Sequence, residues 1–384
     1  MNTLSTYIRK HKTLSDLKKR LSGFLCAGVA LFALPTGMLY ADADDNNGFL
    51  PNQMIVSTVP PNGDVNPYGV AFVPPGFQAG NGPLHPGDIL VSNFNNKKNL
   101  QGTGTTIVVV STRGVVSKFF TATPPAPGAT GHGLSTALAV LRKGVVVVGS
   151  VPSIDGTAGT VGPGGLLVVD SAGNLVQTIS DSNIKGPWDM TVVDEGNHAI
   201  AFISNVLNGT ILRLNLNVAT SGVTVTGETV IASGYKHRGD PAAFEVGPTG
   251  LVYNSAMDVL YVASTDDNAV FAVQQAATRT GSSGTGTMIY QDAIHLHGPL
   301  GMIEAPNGHL LAANSDVINP DPAQPSEIVE FTKQGRFIKQ LSMDPAFGGS
   351  FGLAVRPTQE RAFFAAVDDN TATLTIWNLP LSSD

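Results

Sequence analysis

The 384-residue sequence has little of three things: cysteine, charge and helical periodicity. Cys26 is the only cysteine, which excludes an intrachain disulfide and any site built from several thiolates. Charged residues make up 13% of the chain, and beyond the N-terminus no sustained apolar i, i+3, i+4, i+7 pattern is found. The sequence therefore predicts a domain with scarce helix and without an internal disulfide.

The first 43 residues differ in composition from the rest. Lys and Arg residues between Arg9 and Arg20 precede an uncharged, mainly apolar stretch over residues 23–39, which contains Cys26. Ala41-Asp42-Ala43 then offers a small-residue cleavage site. This order is typical of a secretory signal peptide, and an uncleaved membrane anchor is the alternative. Residues 1–43 are predicted to be the signal peptide, residues 44–53 a disordered polar leader and residues 54–384 one domain, exported to a periplasm or the extracellular space.

Without residues 1–43, which hold six of the 22 basic and two of the 29 acidic residues, the chain carries 16 basic and 27 acidic residues. This balance opposes binding to nucleic acid or to an anionic membrane surface. We therefore expect no nucleic-acid partner and no membrane association after cleavage. The protein is further expected to be a monomer that binds a small molecule or a protein.

One turn motif recurs six times and is followed each time by an apolar, β-branched run. The copies are Pro67-Tyr68-Gly69-Val70, Gly131-His132-Gly133-Leu134, Pro187-Trp188-Asp189-Met190, Pro248-Thr249-Gly250-Leu251, Pro299-Leu300-Gly301-Met302 and Ser350-Phe351-Gly352-Leu353. Their spacing, roughly 50–65 residues, is near the range of propeller blades and similar arrays. Pro and Gly favour a tight turn that leads into a strand.

The strand pattern indicates how the repeats are joined. Most repeats contain four strand candidates, but the last contains only three, and residues 53–59 form an additional candidate ahead of the first motif. An N-terminal strand that completes the last blade would close the ring and remove its open edges. The sequence therefore predicts an all-β, six-bladed β-propeller closed by an N-terminal strand.

The repeated unit resembles the NHL repeat, and residues 248–273 carry the resemblance best through the turn motif, Ser264 and Asn268. Related six-bladed propellers include the gluconolactonase/SMP-30-like group, strictosidine synthase-like proteins and peptidyl-hydroxyglycine lyase domains. The resemblance implies a ligand-binding or protein-interaction module that acts at the channel mouth, where the innermost strands begin. A metal-dependent hydrolase or lyase at the same mouth is the alternative.

Polar and aromatic residues near the predicted mouth are the candidate ligand-binding groups. Tyr68 and Trp188 occupy the second position of the turn motif, where they would stack on a ligand or wedge between blades. The other candidates end second strands or follow them: Asn93, Asn205, Asp266, Asn314 and Asp368. Turn chemistry is the structural alternative for the asparagines.

Four histidines are candidate metal ligands, because imidazole is a common ligand of transition metals. His132 lies within the second motif, His237 precedes the fourth, and His295 and His297 precede the fifth. Hydrogen bonds to loop backbone are their alternative role. Lyase relatives use such histidines around a metal, and lactonase relatives hold a divalent cation with Glu, Asn and Asp, so the resemblance implies zinc or calcium as the cofactor.

Asp189 stands at the third motif position, where the other five copies have glycine. A carboxylate placed where the turn favours no side chain is the candidate catalytic residue.

Overall fold

The computed structural model describes residues 52–125, 131–315, 317–321, 323, 327–346 and 348–381. These residues form 26 β-strands and one short 3-10 turn at Ala158–Thr160, and they contain no α-helix. Six four-stranded antiparallel sheets make an all-β, six-bladed propeller, as predicted. Within the described ranges, no helix is long and apolar enough to cross a membrane. The predicted signal peptide lies outside them.

The first three blades follow the chain in order from the channel outwards. Blade 1 comprises β2 (Val65–Phe72), β3 (Ile89–Asn95), β4 (Thr106–Val110) and β5 (Val116–Thr121). Blade 2 comprises β6 (Leu134–Leu141), β7 (Val145–Ser150), β8 (Gly165–Asp170) and β9 (Leu175–Ile179). Blade 3 comprises β10 (Pro187–Asp194), β11 (His198–Asn205), β12 (Thr210–Ala219) and β13 (Gly222–Ser233).

A hairpin of β14 (Arg238–Asp240) and β15 (Phe244–Val246) separates blade 3 from blade 4. Blade 4 comprises β16 (Pro248–Asn254), β17 (Val259–Ser264), β18 (Ala269–Gln274) and β19 (Thr287–Tyr290). Blade 5 comprises β20 (Pro299–Glu304), β21 (Leu310–Asn314), β22 (Glu327–Phe331) and β23 (Phe337–Ser342). Blade 6 contains β24 (Ser350–Pro357), β25 (Arg361–Asp368) and β26 (Thr373–Pro380).

The outer strand of blade 6 comes from the other end of the described chain. It is β1 (Asn52–Ser57), which begins inside the predicted polar leader and pairs antiparallel with β26, with Met54 opposite Ile376. The pairing covers the backbone edge of β26 that would otherwise be unpaired.

The core lies between blades. Strands β7 and β17 are buried at every residue, because a strand in the middle of a blade is covered on both faces by the neighbouring blades. Apolar clusters cross these boundaries; one joins Val147 of blade 2 to Met190 and Leu212 of blade 3. Because β-branched side chains pack well on a pleated surface, this arrangement accounts for the valine-rich strands.

The motif glycines are required where innermost strands of neighbouring blades approach closely. A Cβ on Gly250 would lie 2.2 Å from the Leu300 carbonyl oxygen, and one on Gly352 would lie 1.8 Å from that of Tyr68. A Cβ on Gly301 would lie 2.2 Å from the Phe351 oxygen. The absence of a side chain at this position therefore lets the inner strands converge at one end of the channel.

The strand register corrects the second copy of the motif. Pro67 pairs with Asn93, and after a bulge Val70 pairs with Val91. In blade 2 the equivalent first pair is Leu134 with Ser150, followed by Leu138 with Val148. Leu134, and not Gly131, therefore occupies the position of Pro67, and His132 lies in the loop before the strand. The pattern misled because Gly-x-Gly resembles the turn while the true start of β6 has neither Pro nor Gly.

Candidate functional site

The end of the channel where the inner strands begin, here called the motif end, is filled by side chains. Tyr68, Trp188, Leu300 and Phe351, which occupy the second motif position, belong to one buried cluster. The ring centroid of Tyr68 lies 4.4 Å from that of Phe351 and 4.7 Å from that of Phe94. We call this cluster, with Phe94 and Phe244, the aromatic plug.

Phe244 reaches the plug from the β14–β15 hairpin. Its ring centroid lies 5.6 Å from that of Phe94 and 6.3 Å from that of Trp188. Its φ of 68° falls in the left-handed region, which a bulky side chain rarely adopts. Burial against the plug offsets the cost of this backbone conformation.

The plug changes the interpretation of Tyr68 and Trp188. Both were predicted to stack on a ligand at this mouth, but Trp188 is only 1% exposed and its neighbours are other plug rings. Burial also raises the pKa of the Tyr68 hydroxyl well above its usual range. The two side chains therefore pack within the protein, which was the structural alternative.

Three predicted ligand-binding amides bind backbone instead. Asn205 donates to the Asn183 oxygen at 2.8 Å and accepts from the Lys185 nitrogen at 3.0 Å. Asn314 donates to the His295 backbone oxygen and accepts from the His297 backbone nitrogen. Asn93 donates to the Thr58 backbone oxygen. All three side chains are fully buried. Each one ties the end of a second strand to the segment that leads into its blade, so we call this position the staple position.

The two predicted carboxylates at this end are also engaged. Asp266 accepts a hydrogen bond from the Arg238 Nε at 2.9 Å, in a partly exposed ion pair. Asp368 accepts from the Thr371 hydroxyl at 2.7 Å and lies beside Asp344. Burial and the neighbouring carboxyl raise the pKa of Asp368 to about 6.

The four histidines have separate surroundings. His132 lies in the loop before β6, and His237 contacts the Tyr235 carbonyl oxygen through Nδ1 at 3.1 Å. His295 bonds Asp292 at 2.6 Å and stacks on Phe337. The ring nitrogens of His297 lie 2.5 Å from the Asn319 oxygen and 3.0 Å from the Ile294 oxygen. In the described part of the chain, no three His, Cys, Asp or Glu residues are placed to hold one metal ion.

The central channel forms a cavity of about 390 Å³ beyond the plug. Each innermost strand pairs on one edge only, and residues of all six line the cavity. The wall therefore combines strand edges that pair with no other strand of the described chain and apolar side chains such as Leu138, Val192 and Ile303. Because the plug fills the motif end, the channel opens where the inner strands finish, near Asp194, Tyr253 and Glu304; this is the open end.

Asp189 lies against the plug at the inner end of this cavity. Its carboxylate accepts hydrogen bonds from the Met190 nitrogen at 2.7 Å and from the Leu251 N–H, and its own N–H donates to the Ser204 hydroxyl. Protein encloses the side chain, yet part of it stays accessible to water in the channel. Burial raises the pKa of Asp189 to about 7, although the hydrogen bonds from the two backbone N–H groups act in the opposite direction.

Carboxylates at the open end have cationic partners, whereas Asp189 has none among the described residues. Glu304 accepts from the Lys333 ammonium at 2.6 Å and from Asn254 at 3.1 Å. Asp194 accepts from the Arg142 Nε at 3.4 Å. Asp189 is therefore the partly buried acid of the channel whose charge, among the described residues, is balanced only by backbone dipoles.

The side chains around Asp189 supply few of the ligands that a zinc or calcium ion takes. Calcium takes six to eight oxygen ligands and zinc commonly takes nitrogen or sulfur ligands. Among the residues that the structure describes, the cavity lining includes one carboxylate without a cationic partner and no histidine.

Sequence reasoning located Asp189 but missed the plug and the closed mouth. Phe94 lies one residue beyond Asn93, at the end of β3, and Phe244 lies in a segment with no repeat pattern. The available signal was that three of the six motif copies have an aromatic residue at their second position. Whether these side chains contact one another depends on closure of the propeller ring.

No family model matches the chain, and no curated protein matches it. Solved structures share the fold. A gluconolactonase from Xanthomonas campestris is 13% identical, covers 86% of this chain and 90% of its own, and has a TM-score of 0.51. A proposed glucose dehydrogenase-type oxidoreductase from Thermus thermophilus is 13% identical, covers 85% and 100%, and has a TM-score of 0.50. A proposed gluconolactonase is 12% identical, covers 88% and 96%, and also has a TM-score of 0.50. These similarities show the six-bladed propeller fold that the repeat predicted.

Proposed function

We propose that this is an exported protein that binds a small molecule in its central channel, with Asp189 as the anchoring group. The observation that carries the proposal is a partly buried carboxylate, without a cationic partner among the described residues, at the inner end of a cavity of about 390 Å³. Cavities of this size, with few polar groups at defined positions, are typical of small-molecule sites. The ligand enters from the open end, since the aromatic plug fills the other.

The charge of the site favours a ligand with a primary amine. Burying a carboxylate in a channel disfavours its ionised form, and a bound ammonium group would restore that form. The ammonium would also donate to backbone oxygens on the channel-facing edges of the inner strands. The acidic balance of the chain supports accumulation of such a cation near the open end.

The test is a titration with methylammonium, ethanolammonium and putrescine, followed through the amide resonances of residues 189–192 and 301–303. We expect saturable shifts that weaken as the pH falls through about 7, because protonation of Asp189 removes the counter-charge. In Asp189→Asn, affinity should fall by about tenfold or more, as expected for the loss of one buried charge pair.

Glu245→Gln is the matched control. Burial raises the pKa of Glu245 to about 7 as well, but this residue lies on the β14–β15 hairpin and does not line the cavity. Its variant should bind amines as the wild type does. Amine binding that survives Asp189→Asn, or that is lost equally in both variants, would contradict the proposed anchor.

A second candidate is an acid–base enzyme at the same site. A carboxyl group with a pKa near neutrality that faces a cavity is suited to proton transfer. The named activity of the Xanthomonas campestris relative makes a lactone the first substrate to assay. Gluconolactone hydrolysis, followed by acid release, should then fall by about 10²-fold or more in Asp189→Asn.

The enzyme candidate fails if purified protein does not exceed the uncatalysed rate, or if Asp189→Asn retains full activity. A metal-dependent form of it stays a prediction: it requires stoichiometric zinc or calcium in purified protein by elemental analysis, together with loss of the rate on chelation.

A further inference from the structure

The lining of the central channel changes in character between its inner end and its open end. Asp189 is the carboxylate at the inner end, and Asp194 and Glu304 are the carboxylates where the inner strands finish. Between these levels the lining side chains are mainly apolar, as at Val192 and Ile303. Among the residues that the structure describes, the lining includes no Lys, Arg or His. The channel wall is therefore acidic at both ends and mainly apolar in between.

The spacing of the acids follows from the strand register. Gly301 occupies in blade 5 the position that Asp189 occupies in blade 3, because each directly precedes the residue that resumes pairing with the second strand. Glu304 lies three residues beyond Gly301, at the end of β20. An extended strand rises about 3.3 Å per residue, so Asp189 and Glu304 lie at levels about 10 Å apart along the channel.

The Glu304 carboxylate keeps acceptor capacity although it has a cationic partner. Its Oε1 accepts from the Lys333 ammonium at 2.6 Å, and its Oε2 accepts from the Asn254 amide at 3.1 Å. The Glu304 side chain is 28% exposed, against 15% for Lys333, so it is the more accessible member of the pair. Because each carboxylate oxygen has two lone pairs, a second ammonium group can share this carboxylate with Lys333.

Asp194 is less suited to the same role. Its Oδ2 accepts from the backbone N–H of Arg142 at 2.7 Å and from the guanidinium of that residue, and its Oδ1 accepts from the Gly196 N–H at 2.8 Å. It also lies five residues beyond Asp189 on β10, about 17 Å further along an extended strand. Glu304 is therefore the nearer and more accessible acid for a ligand held at Asp189.

We propose that the channel takes a linear α,ω-diamine, with one ammonium group at Asp189 and the other at Glu304. This inference rests on the proposed function, which supplies the first contact, and it adds the second contact and the length of the ligand. The methylene chain packs on the apolar middle of the wall, where burial of each CH₂ group is favourable. Bridging about 10 Å takes an extended chain of about eight methylene groups.

The test is a titration with octamethylenediamine and with octylamine, which has the same chain and one ammonium group. It is carried out at pH 8, where Asp189 is ionised, and followed through the amide resonances of residues 189–192 and 301–304. We expect the diamine to bind about threefold tighter, the effect of one partly exposed charge pair. Putrescine, whose chain is too short to reach Glu304, should bind no tighter than butylamine.

Two variants of the ion pair should change this preference in opposite directions. Glu304→Gln should remove it, because the second ammonium loses its counter-charge. Lys333→Met should increase it, because the competing ammonium is gone and the Glu304 carboxylate is left to the ligand. A merely structural role of the pair would move both variants in the same direction. Asp194→Asn is the matched control and should keep the preference of the wild type.

The inference is overturned if the diamine binds no tighter than octylamine, if Lys333→Met lowers the preference, or if Asp194→Asn rather than Glu304→Gln removes it. The proposed function fails separately, and this inference with it, if neither amine gives saturable shifts or if octylamine binding survives Asp189→Asn unchanged. The comparison of long and short chains uses the wild-type protein, so the test holds even where an ion-pair variant does not fold.

Discussion

The two ends of the central channel are built by the same six strands and differ in what those strands carry. At the motif end, the second motif position holds Tyr68, Trp188, Leu300 and Phe351, which pack into a buried cluster. At the open end, the same strands present backbone edges and carboxylates paired to cations, such as Glu304 with Lys333. The difference shows that a repeated backbone turn does not by itself make a binding mouth: the volume of one side chain per repeat decides whether the channel is open.

The plug also explains the placement of Asp189. Aromatic rings remove water from the motif end and create the apolar surroundings that raise the pKa of a nearby carboxyl group. Asp189 follows Trp188 directly, so its carboxylate lies where the packed end meets the water-accessible channel. Packing at the motif end thus raises the pKa of a carboxyl group that lies at the boundary between the packed end and the open channel.

The largest expected effect is the removal of a plug ring. Trp188→Ala should lower the free energy of unfolding by about 3–5 kcal/mol, because it leaves a cavity in a fully buried cluster. Thr191→Ala, three residues further along the same strand and facing the channel, should change it by about 0.5 kcal/mol or less. Denaturant unfolding measures both, and equal losses would show that the two parts of the channel are packed alike.

A smaller effect is expected where the inner strands converge. Gly352→Ala should cost about 1–3 kcal/mol, because its Cβ would meet the Tyr68 carbonyl oxygen at 1.8 Å. Gly281→Ala is the matched control, since a Cβ there meets no atom within 4 Å. If the two variants unfold at the same denaturant concentration, close approach at the motif end is not the reason for the glycine.

The smallest expected effect is on the pH dependence of stability. Burial raises the pKa of Asp189 and Glu245 to about 7, and of Asp368 and Asp369 to about 6. A carboxyl group with a raised folded-state pKa favours folding when protonated, so this stability is lost as the pH rises through 6 to 7.

The midpoint temperature of thermal unfolding should therefore increase as the pH is lowered from 8 to 5. Below about pH 4, acids whose pKa is lowered, such as Asp258, reverse the trend. Asp189→Asn should flatten the rise, since it removes one of the titrating groups. A midpoint that falls on acidification from pH 8 to pH 5 would contradict the raised pKa values.

Local sequence signals determined the architecture. Turn residues, apolar runs and a repeat of about 57 residues indicated six blades, because strand and turn propensities are set by residues near one another in the chain. The same signals failed at blade 2, where Gly131-His132-Gly133 resembles the turn but precedes it. There the register of β6 against β7 decided that Leu134 begins the strand.

The site depended on contacts that local signals do not contain. Asp189 was recognisable as a departure from the repeat, but its burial follows from five other strands and from rings that come together only when the circle closes. Asn205 and Asn314 looked like ligand groups because the sequence does not reveal which backbone groups a side chain will meet. The sequence thus determined the repeat and its exceptions, and the tertiary structure decided which end of the channel is closed, because closure depends on packing between residues that lie far apart in the chain.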